Sequence, residues 1–399
     1  MAGPLAGVRV LDLTTMVSGP VATMMLADQG ADVIKIESPG GDLMRSYGSG
    51  ANGMAASFLS CNRSKRSLAL DLKKPEGLAI VKQLVPTADV LVQNFRPGAI
   101  ERMGLGEEAV RALRRDIIFV SISGFGESGP YAHQRVYDPV IQALCGLAEI
   151  QADYHTDGRP RMVRTIIPDK TTALAAAQAI TAALFARERS GEGQHVRLAM
   201  LDVMIGYLWP EAISTLTIVG KEVDPAKGQI IGDMVYKTLD RYITASAVSD
   251  AEWAGLCRSL EREDLIDEPR FKTVSLRTQN SAERRALQRT EIAKWPSAEL
   301  LQRLDRAGVP CAPILSRVEL LDDPQVRENK LLEIHDLEGG AKVRQPRPAA
   351  RFDRTPAVIS SMAPQLGAHN ASILGELGYS AQEVERMTQA GVLVQLSSG

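Results

Sequence analysis

A proline–aspartate pair, Pro168-Asp169, stands at the start of a long alanine-rich stretch that predicts a helix. A carboxylate at such a place usually serves as a helix N-cap, and the pattern alone favours that role for Asp169. The positive end of the helix dipole and the free N–H groups should keep Asp169 ionised at neutral pH. An ionised carboxylate can also act as a nucleophile, so Asp169 is a candidate catalytic residue.

A glycine-rich segment at residues 124–129 matches the G-x-G-x-x-G pattern of dinucleotide-binding loops and follows a predicted strand. Pro130 and Tyr131 come next, without a clear helix or an acidic residue at the expected distance. We therefore expect a flexible turn instead of a nucleotide site. The turn would lie at the carboxyl end of the sheet, where its backbone amides can also serve a ligand.

Four basic residues near predicted strand ends are candidates for holding a phosphorylated group. Each of them alone is most simply a solvated surface charge. Together they can form charge-assisted hydrogen bonds with phosphate oxygens. They are Arg96, Arg102, Lys65 and Arg66.

The composition is that of a core-forming globular protein, with 45% hydrophobic and 24% charged residues among 399. Lys and Arg total 46 against 48 Asp and Glu, so we expect no general attraction to nucleic acid or to an anionic membrane. No stretch reaches the ~20 apolar residues of a membrane span. The N-terminus also does not match a signal peptide, and we expect a cytoplasmic protein.

Cysteines and histidines are scattered, without the paired spacing of a disulfide framework or of a Cys-based metal site. A metal-dependent mechanism is therefore not expected, although a site made of carboxylates alone stays open. The residues concerned are Cys61, Cys145, Cys257, Cys311, His133, His155, His195, His335 and His369.

Short apolar strands alternate with helices through the first half of the chain, which predicts an α/β domain with a doubly wound parallel sheet. Strands are expected at 8–13, 32–37, 68–72, 89–95 and 117–123, and helices at 19–31, from 75, at 98–115 and at 168–189. The composition changes after Gly206, where we expect a second, smaller domain. The predicted division is a large domain at 1–210, a small domain at 225–330, and a segment at 331–399 that returns to the large domain.

Ordered motifs along nearly the whole chain resemble the class III CoA-transferase family. That family includes formyl-CoA transferase, carnitine CoA-transferases and α-methylacyl-CoA racemase. The motifs lie at 4–13, 19–20, 30–37, 62–67, 89–104, 123–130, 168–169, 191–194, 308–313, 366–367 and 377–379.

The resemblance implies a large Rossmann-like domain, a smaller α+β domain and two chains interlocked as a homodimer. In the family's transferases, the aspartate that matches Asp169 attacks an acyl-CoA thioester, and the CoA thiolate then forms an aspartyl-CoA thioester. The implied partners are an acyl-CoA donor and a carboxylic acid acceptor. Coenzyme A takes part as a substrate, with no tightly bound cofactor and no metal.

The resemblance also implies individual site residues. Beside Asp169, Asp138 matches an acidic position that assists in some transferases. A cap of the helix opened by Pro139 is an equal alternative for Asp138. Tyr137 lies near the reacting end. The implied CoA-binding residues are Met16, Val17, Leu72, Asn94, Phe95, Arg96, Arg102, Met103 and Arg135.

Two departures from the family pattern reduce the number of activities that the resemblance implies for this chain. The racemases have a histidine where this chain has Tyr137, and a phenol of pKa ~10 is a poor substitute for imidazole in proton exchange. Residues 246–250 lack the glycine run of formyl-CoA transferase. We therefore expect an acyl-CoA:carboxylate CoA-transferase. The alternatives are an α-methylacyl-CoA racemase or epimerase, and a non-catalytic CoA-binding protein.

Overall fold

A computed structural model describes residues 3–51, 53–152, 158–223, 234–337 and 339–394. The strands in these ranges are β1 Arg9–Asp12, β2 Asp32–Glu37, β3 Gly50–Ala51, β4 Met54–Ala55, β5 Lys65–Ala69, β6 Val90–Gln93, β7 Ile118–Ser123, β8 His195–Ala199, β9 Val235–Lys237, β10 Tyr242–Ala245, β11 Cys311–Pro313, β12 Leu332–Asp336 and β13 Lys342–Pro346.

Helices alternate with these strands and also occur through the second half of the chain. They are α1 Ser18–Asp28, α2 Ala56–Cys61, α3 Pro75–Leu84, α4 Ala99–Arg102, α5 Glu107–Leu113, α6 Asp138–Leu144, α7 Leu147–Ile150, α8 Ile167–Ser190, α9 Met200–Leu208, α10 Asp250–Ser259, α11 Val274–Gln279, α12 Ser281–Ile292, α13 Ser297–Arg306, α14 Pro324–Glu328, α15 Asn370–Glu376 and α16 Ala381–Gln389. Among the described residues, none of these helices combines the length and the apolar character needed to cross a bilayer.

The chain divides into two compact units. The first comprises Met1–Gln151, Pro160–Ile213 and Lys330–Gly399, and the second comprises Ala152–Arg159 and Ser214–Asn329. The domain boundary expected at residue 225 falls within 224–233, outside the described residues.

The first unit contains a six-stranded parallel sheet in the order β5-β2-β1-β6-β7-β8. The predicted α/β class with a parallel sheet is thereby confirmed. Sequence reasoning missed β8, which lies at the edge and is only partly buried, so it lacks the continuous apolar run of a central strand. Because the strands are parallel, the loops that follow β1, β5, β6 and β7 share one edge of the sheet.

Both faces of the sheet are buried by apolar packing. Leu11, Leu91 and Phe119 belong to the core on one face, and Val10 and Val120 belong to the core on the other. The helix expected at 98–115 is wrong: two short helices, α4 and α5, replace it. The chain turns between them at Gly104, whose φ of +72° interrupts a continuous helix.

The sheet encloses a fully buried ion pair between Lys65 and Asp12. Lys65 Nζ lies 2.8 Å from Asp12 Oδ2 and also donates to the Pro20 carbonyl and to Asn62 Oδ1. Burial lowers the pKa of Lys65 to about 8 in spite of this carboxylate. Burial also works against the charge of Asp12, but the nearby ammonium groups outweigh it and hold the Asp12 pKa well below its usual range.

A second buried lysine extends this network. Lys35 Nζ donates to Asp42 Oδ2 at 3.0 Å and to the Thr14 carbonyl at 2.9 Å. Glu37 accepts the backbone N–H of Asp42 and forms two hydrogen bonds with the guanidinium of Arg45. Each charge in this interior therefore has a partner, which the low-polarity surroundings require.

The expectation that Lys65 and Arg66 help to hold a phosphate is wrong. Lys65 is enclosed in the core, and Arg66 is paired with Asp32 and Glu376. Strand β5 includes this buried lysine and begins at Lys65, three residues before the predicted strand at 68–72. In the sequence alone, two consecutive basic residues are typical of a surface loop, because their acidic partners lie far away along the chain.

The second unit contains a three-stranded antiparallel sheet in the order β11-β10-β9. Its core includes Trp253, Phe271 and Leu300. Strands β12 and β13 form an antiparallel pair in the first unit.

Replacing Lys65 with methionine should destabilise the protein by about 3–5 kcal/mol, because Asp12 would keep its buried charge without its nearest ammonium. The adjacent substitution Arg66→Met should cost about 1 kcal/mol, since Arg66 is partly solvated. Urea unfolding of both variants at neutral pH measures the difference. Equal losses would contradict a special role for the buried pair.

Candidate active site

Asp169 is the third residue of α8 and does not cap it. The helix is preceded by Ile166, and no side chain forms a cap hydrogen bond there. The N-cap interpretation of Asp169 is therefore wrong. The side chain of Asp169 is instead free to make contacts across the fold.

The carboxylate of Asp169 lies close to the hydroxyl and the backbone N–H of Ser18, two donors that stabilise its charged form and act to lower its pKa. Ser18 is the first residue of α1, directly after the β1 loop. This loop is tight: a Cβ at Gly19 would lie 2.3 Å from the Cβ of Thr14, so Gly19 must lack a side chain. Asp169 thus lies at the carboxyl edge of the sheet, beside β1.

The pKa of Asp169 is raised to about 6, mainly because burial disfavours the charged form. The negative charge of Asp138 raises the Asp169 pKa further, and the polar groups of Ser18 oppose the shift. At neutral pH about nine-tenths of such a group is ionised. The expectation of an ionised carboxylate agrees with this value, but its basicity is greater than that of an ordinary aspartate.

Asp138 is buried with only 3% of its surface exposed. Its Oδ1 accepts a hydrogen bond from Gln142 Nε2 at 2.6 Å, and its Oδ2 accepts the backbone N–H of Asp169 at 3.3 Å. The idea that Asp138 caps the helix opened by Pro139 is wrong, because α6 begins with Asp138 itself and shows no side-chain cap. Asp138 instead holds the first turn of α8, and burial raises its own pKa.

Gln142 connects α6 to the backbone segment that leads into α8. Its Oε1 accepts the Val163 N–H at 2.9 Å, and its Nε2 donates to the Val163 and Thr165 carbonyls as well as to Asp138. The start of α8 is therefore fixed by side chains of α6. This fixed backbone holds Asp169 in place.

Four residues carried over to the CoA site, Met16, Val17, Asn94 and Phe95, lie in the loops after β1 and β6 at this edge of the sheet. The amide of Asn94 exchanges two hydrogen bonds with the backbone of Thr15, at 2.8 and 2.9 Å. This pair joins the loop after β6 to the loop after β1. Met16, in the β1 loop, has a φ of +68°, a strained conformation for a residue with a side chain.

Some of the implied CoA-site residues border a cavity of about 470 Å³ in the first unit. Phe95, Arg96 and Arg102 line this cavity at the ends of β6 and β7. Leu72 packs against the core below the sheet edge. Met103 ends α4, while Arg135 and Tyr137 are exposed in the segment before α6.

A chain of four side chains supports the loop after β6. Glu107 binds His195 Nδ1 at 3.1 Å, and His195 Nε2 lies 2.8 Å from Ser121 Oγ. Gln93 Nε2 donates to Ser121 Oγ, and Gln93 Oε1 accepts the Phe95 N–H at 2.8 Å. Because Gln93 donates to Ser121, the Ser121 hydroxyl donates to His195, whose Nδ1–H then faces Glu107. The chain fixes the backbone that carries Phe95.

The family model for CoA-transferase family III matches residues 5–370. The chain belongs to this family.

The CoA-transferase is 37% identical to the succinate–glutarate CoA-transferase of Agrobacterium fabrum, over 94% of this chain and 96% of that one. It is 36% identical to the mouse succinyl-CoA:glutarate CoA-transferase, over 98% and 91% of the two chains. A CAIB/BAIF family protein from Brucella suis has a similar solved structure, with a TM-score of 0.81, 34% identity and coverage of 94% and 100%. The resemblance inferred from the motifs is confirmed, and the chain is an enzyme.

The glycine-rich segment of the CoA-transferase is followed by turns and bends, and the next helix, α6, begins only at Asp138. A Cβ at Gly124 would lie 2.5 Å from Val136, so the segment folds back closely on itself. A dinucleotide loop needs a helix N-terminus directly after its glycines. This segment does not provide one.

Sequence reasoning missed two residues that shape the site, Ser18 and Gln142. Ser18 has a local signal, since a small polar residue before Gly19-Pro20 is typical of a helix start. Gln142 lies four residues after Asp138 on one helix, which predicts that their side chains meet. Its bonds to Val163 and Thr165 have no signal in the sequence. The described residues include no cluster of His, Cys, Asp or Glu suited to a metal ion.

Replacing Asp169 with asparagine should stabilise the CoA-transferase by about 1–3 kcal/mol at pH 8, because a buried charge is removed. The pKa in the folded protein is about 6, above the ordinary value of 3.8. Folding therefore takes up a proton between these values, and the stability of the wild type falls as the pH rises through this window. Below about pH 4 the advantage of the variant should vanish, because the carboxyl is then neutral in both states.

Urea unfolding at pH 4 and pH 8 measures this difference. The exposed Asp353, in the same unit, provides the matched control substitution Asp353→Asn. A variant Asp169→Asn with no pH-dependent gain over this control would contradict the raised pKa.

Proposed function

We propose that this CoA-transferase moves CoA from an acyl-CoA thioester to a free carboxylic acid through a covalent intermediate on Asp169. The observation that supports this most is the position of the Asp169 carboxylate. It is partly buried, has a raised pKa, and lies at the carboxyl edge of the sheet against Ser18. Open α/β sheets bind their ligands at this edge.

The proposed reaction has four balanced steps. The Asp169 carboxylate attacks the thioester carbonyl, and the CoA thiolate leaves, which gives a mixed anhydride. The thiolate then attacks the Asp169 carbonyl and expels the donor acid as a carboxylate, which gives an aspartyl-CoA thioester. The acceptor carboxylate repeats these steps in reverse order, so that Asp169 is restored and a new acyl-CoA leaves.

The raised pKa of Asp169 reduces the main energetic obstacle in the first step. An ordinary carboxylate of pKa ~3.9 that displaces a thiolate of pKa ~8.5 works against a basicity difference of about 6 kcal/mol. At a pKa of about 6 for Asp169, the difference falls to about 3.4 kcal/mol. The binding energy of the long CoA chain can offset the remainder, since it acts far from the reacting carbon.

The proposed site for the CoA chain is the edge formed by Met16, Val17, Asn94 and Phe95, with Arg96 and Arg102 in the adjoining cavity. The two arginines have exposed side chains at the cavity wall, where they suit a phosphate. Leu72, Met103 and Arg135 complete the proposed set. Of the basic residues expected to hold a phosphate, only Arg96 and Arg102 stay in the proposal.

We assign Asp138 a positioning role. It binds the backbone N–H of Asp169 and its charge raises the Asp169 pKa. Tyr137 is 63% exposed, and a phenol hydroxyl is a poorer proton acceptor than an imidazole. The proposal therefore contains no second acid–base group for racemisation.

The proposed substrates are short dicarboxylic acids and their CoA thioesters. This rests on the relatives, several of which are named for succinate together with glutarate, mesaconate or citramalate. A panel of free acids incubated with succinyl-CoA and followed by mass spectrometry tests the assignment. New thioesters of monocarboxylic acids alone would contradict it.

Incubation with an acyl-CoA and quenching with hydroxylamine should convert Asp169 to a hydroxamate, because the aspartyl thioester is the electrophile. Peptide mass spectrometry locates the modification. The variant Asp169→Ala should lose the modification and at least about 10³-fold in turnover. An unmodified Asp169 during full wild-type turnover would exclude the covalent route.

The pH dependence of kcat/KM gives an independent test. Activity should rise with pH through about 6 as Asp169 loses its proton. In the variant Asp138→Asn this midpoint should fall by about one unit, since the neighbouring negative charge is gone. An Asp138 with a structural role only would change the turnover without moving the midpoint.

We also propose that the enzyme acts as a homodimer. Large apolar side chains are exposed on the adjacent helices α8 and α9 and at the residue that follows α9: Leu174 at 57%, Phe185 at 63%, Tyr207 at 61% and Trp209 at 42%. Exposed apolar patches often mark contact surfaces between proteins. A second copy of the chain is the proposed cover.

Light scattering after size-exclusion chromatography should give a mass of twice the 43.2 kDa of one chain. The substitution Phe185→Glu should shift the mass towards one chain, because it places a charge in the apolar contact. A single-chain mass for the wild type at all concentrations would contradict the dimer.

A further inference from the structure

The second unit contains a cavity of about 260 Å³ that is lined by three arginines. It lies where the end of β10 meets α11 and α12. Arg277 belongs to α11, and Arg284 and Arg285 belong to α12. None of the described lining residues is acidic. The cavity lies wholly within the second unit, whereas Asp169 belongs to the first.

Arg284 has no ion pair with any described residue. Its guanidinium makes one long hydrogen bond of 3.4 Å, from Nη1 to the Ala247 carbonyl. Its Nε is buried and has no hydrogen-bond partner. A guanidinium removed from water without an anion costs free energy, so natural proteins usually provide one.

The surroundings of Arg284 increase this cost. Burial lowers its pKa, and the positive charges of Arg285 and Arg277 lower it further. Arg277 is only 2% exposed, and its Nη2 contacts Asp250 Oδ1 at 2.6 Å. The Nε of Arg277 is nevertheless also buried without a partner. Two neighbouring guanidinium groups therefore keep unused donors beside one cavity.

We propose that this cavity binds a small oxyanion between Arg277 and Arg284. Planar guanidinium groups match the paired oxygens of carboxylates and phosphates, and charge-assisted bonds of this kind are the strongest available to them. Tyr236 and Gln288, which share a hydrogen bond of 3.1 Å, add polar groups to the wall. The volume is large enough for inorganic phosphate or a short dicarboxylate.

Isothermal titration calorimetry of the full chain with inorganic phosphate tests the proposal at constant ionic strength. The wild type should bind phosphate, and the substitution Arg284→Gln should weaken this binding at least about tenfold, since one charged donor set is lost. Arg289→Gln removes an exposed arginine of the same helix and should leave the binding unchanged. A second series with succinate distinguishes a carboxylate ligand from phosphate.

The variant Arg284→Lys keeps the charge without the fork and should retain part of the affinity. The variant Arg284→Lys also tests the proposal if Arg284→Gln does not fold. Heat detected equally in the wild type and in Arg284→Gln would place the anion elsewhere, for example at Arg96 and Arg102, and would overturn the proposal. So would the absence of binding by both anions to the wild type, as expected if a side chain of another copy fills the cavity. Neither result bears on Asp169.

Discussion

The buried charge of Asp12 fixes the turn on which the candidate active site depends. Its carboxylate accepts hydrogen bonds from the Thr14 backbone, from the Thr23 hydroxyl of α1 and from Lys65. These bonds hold the end of β1 against the first turns of α1. The left-handed Met16 lies between them and can persist because both sides are fixed. The turn then presents Ser18 to Asp169.

The surroundings of Asp169 are those of a group kept reactive at some expense of stability. It is partly enclosed, it has a carboxylate neighbour and the polar groups of Ser18 beside it, and no cation among the described residues stabilises its charge. The interior pairs of Lys65 and Lys35, by contrast, are arranged to neutralise charge. Within the first unit, the buried charges below the sheet edge are therefore fully paired. The charge of Asp169 at the edge is paired incompletely. The raised basicity of Asp169, the proposed nucleophile, follows from this incomplete pairing.

The sequence predicted those parts of the fold that depend on local patterns. Apolar runs placed β1, β2, β6 and β7 close to their true positions, since buried parallel strands have continuous apolar sequences. The edge strand β8 and the antiparallel pair β12–β13 were missed, because partly exposed strands lack this signal. The long helix at 98–115 was wrong because one glycine with positive φ divided it. Such a turn depends on what packs against it.

The sequence by itself determined the family and the α/β class, because these follow from ordered motifs and local periodicity. It also singled out Asp169 as a candidate catalytic residue. Only the tertiary structure decided what the charged residues do. It enclosed Lys65 with Asp12 instead of leaving it for phosphate, and it turned Asp138 towards the backbone of Asp169. The physical reason is that the pKa and the pairing of a charge depend on burial and on neighbours distant in the chain.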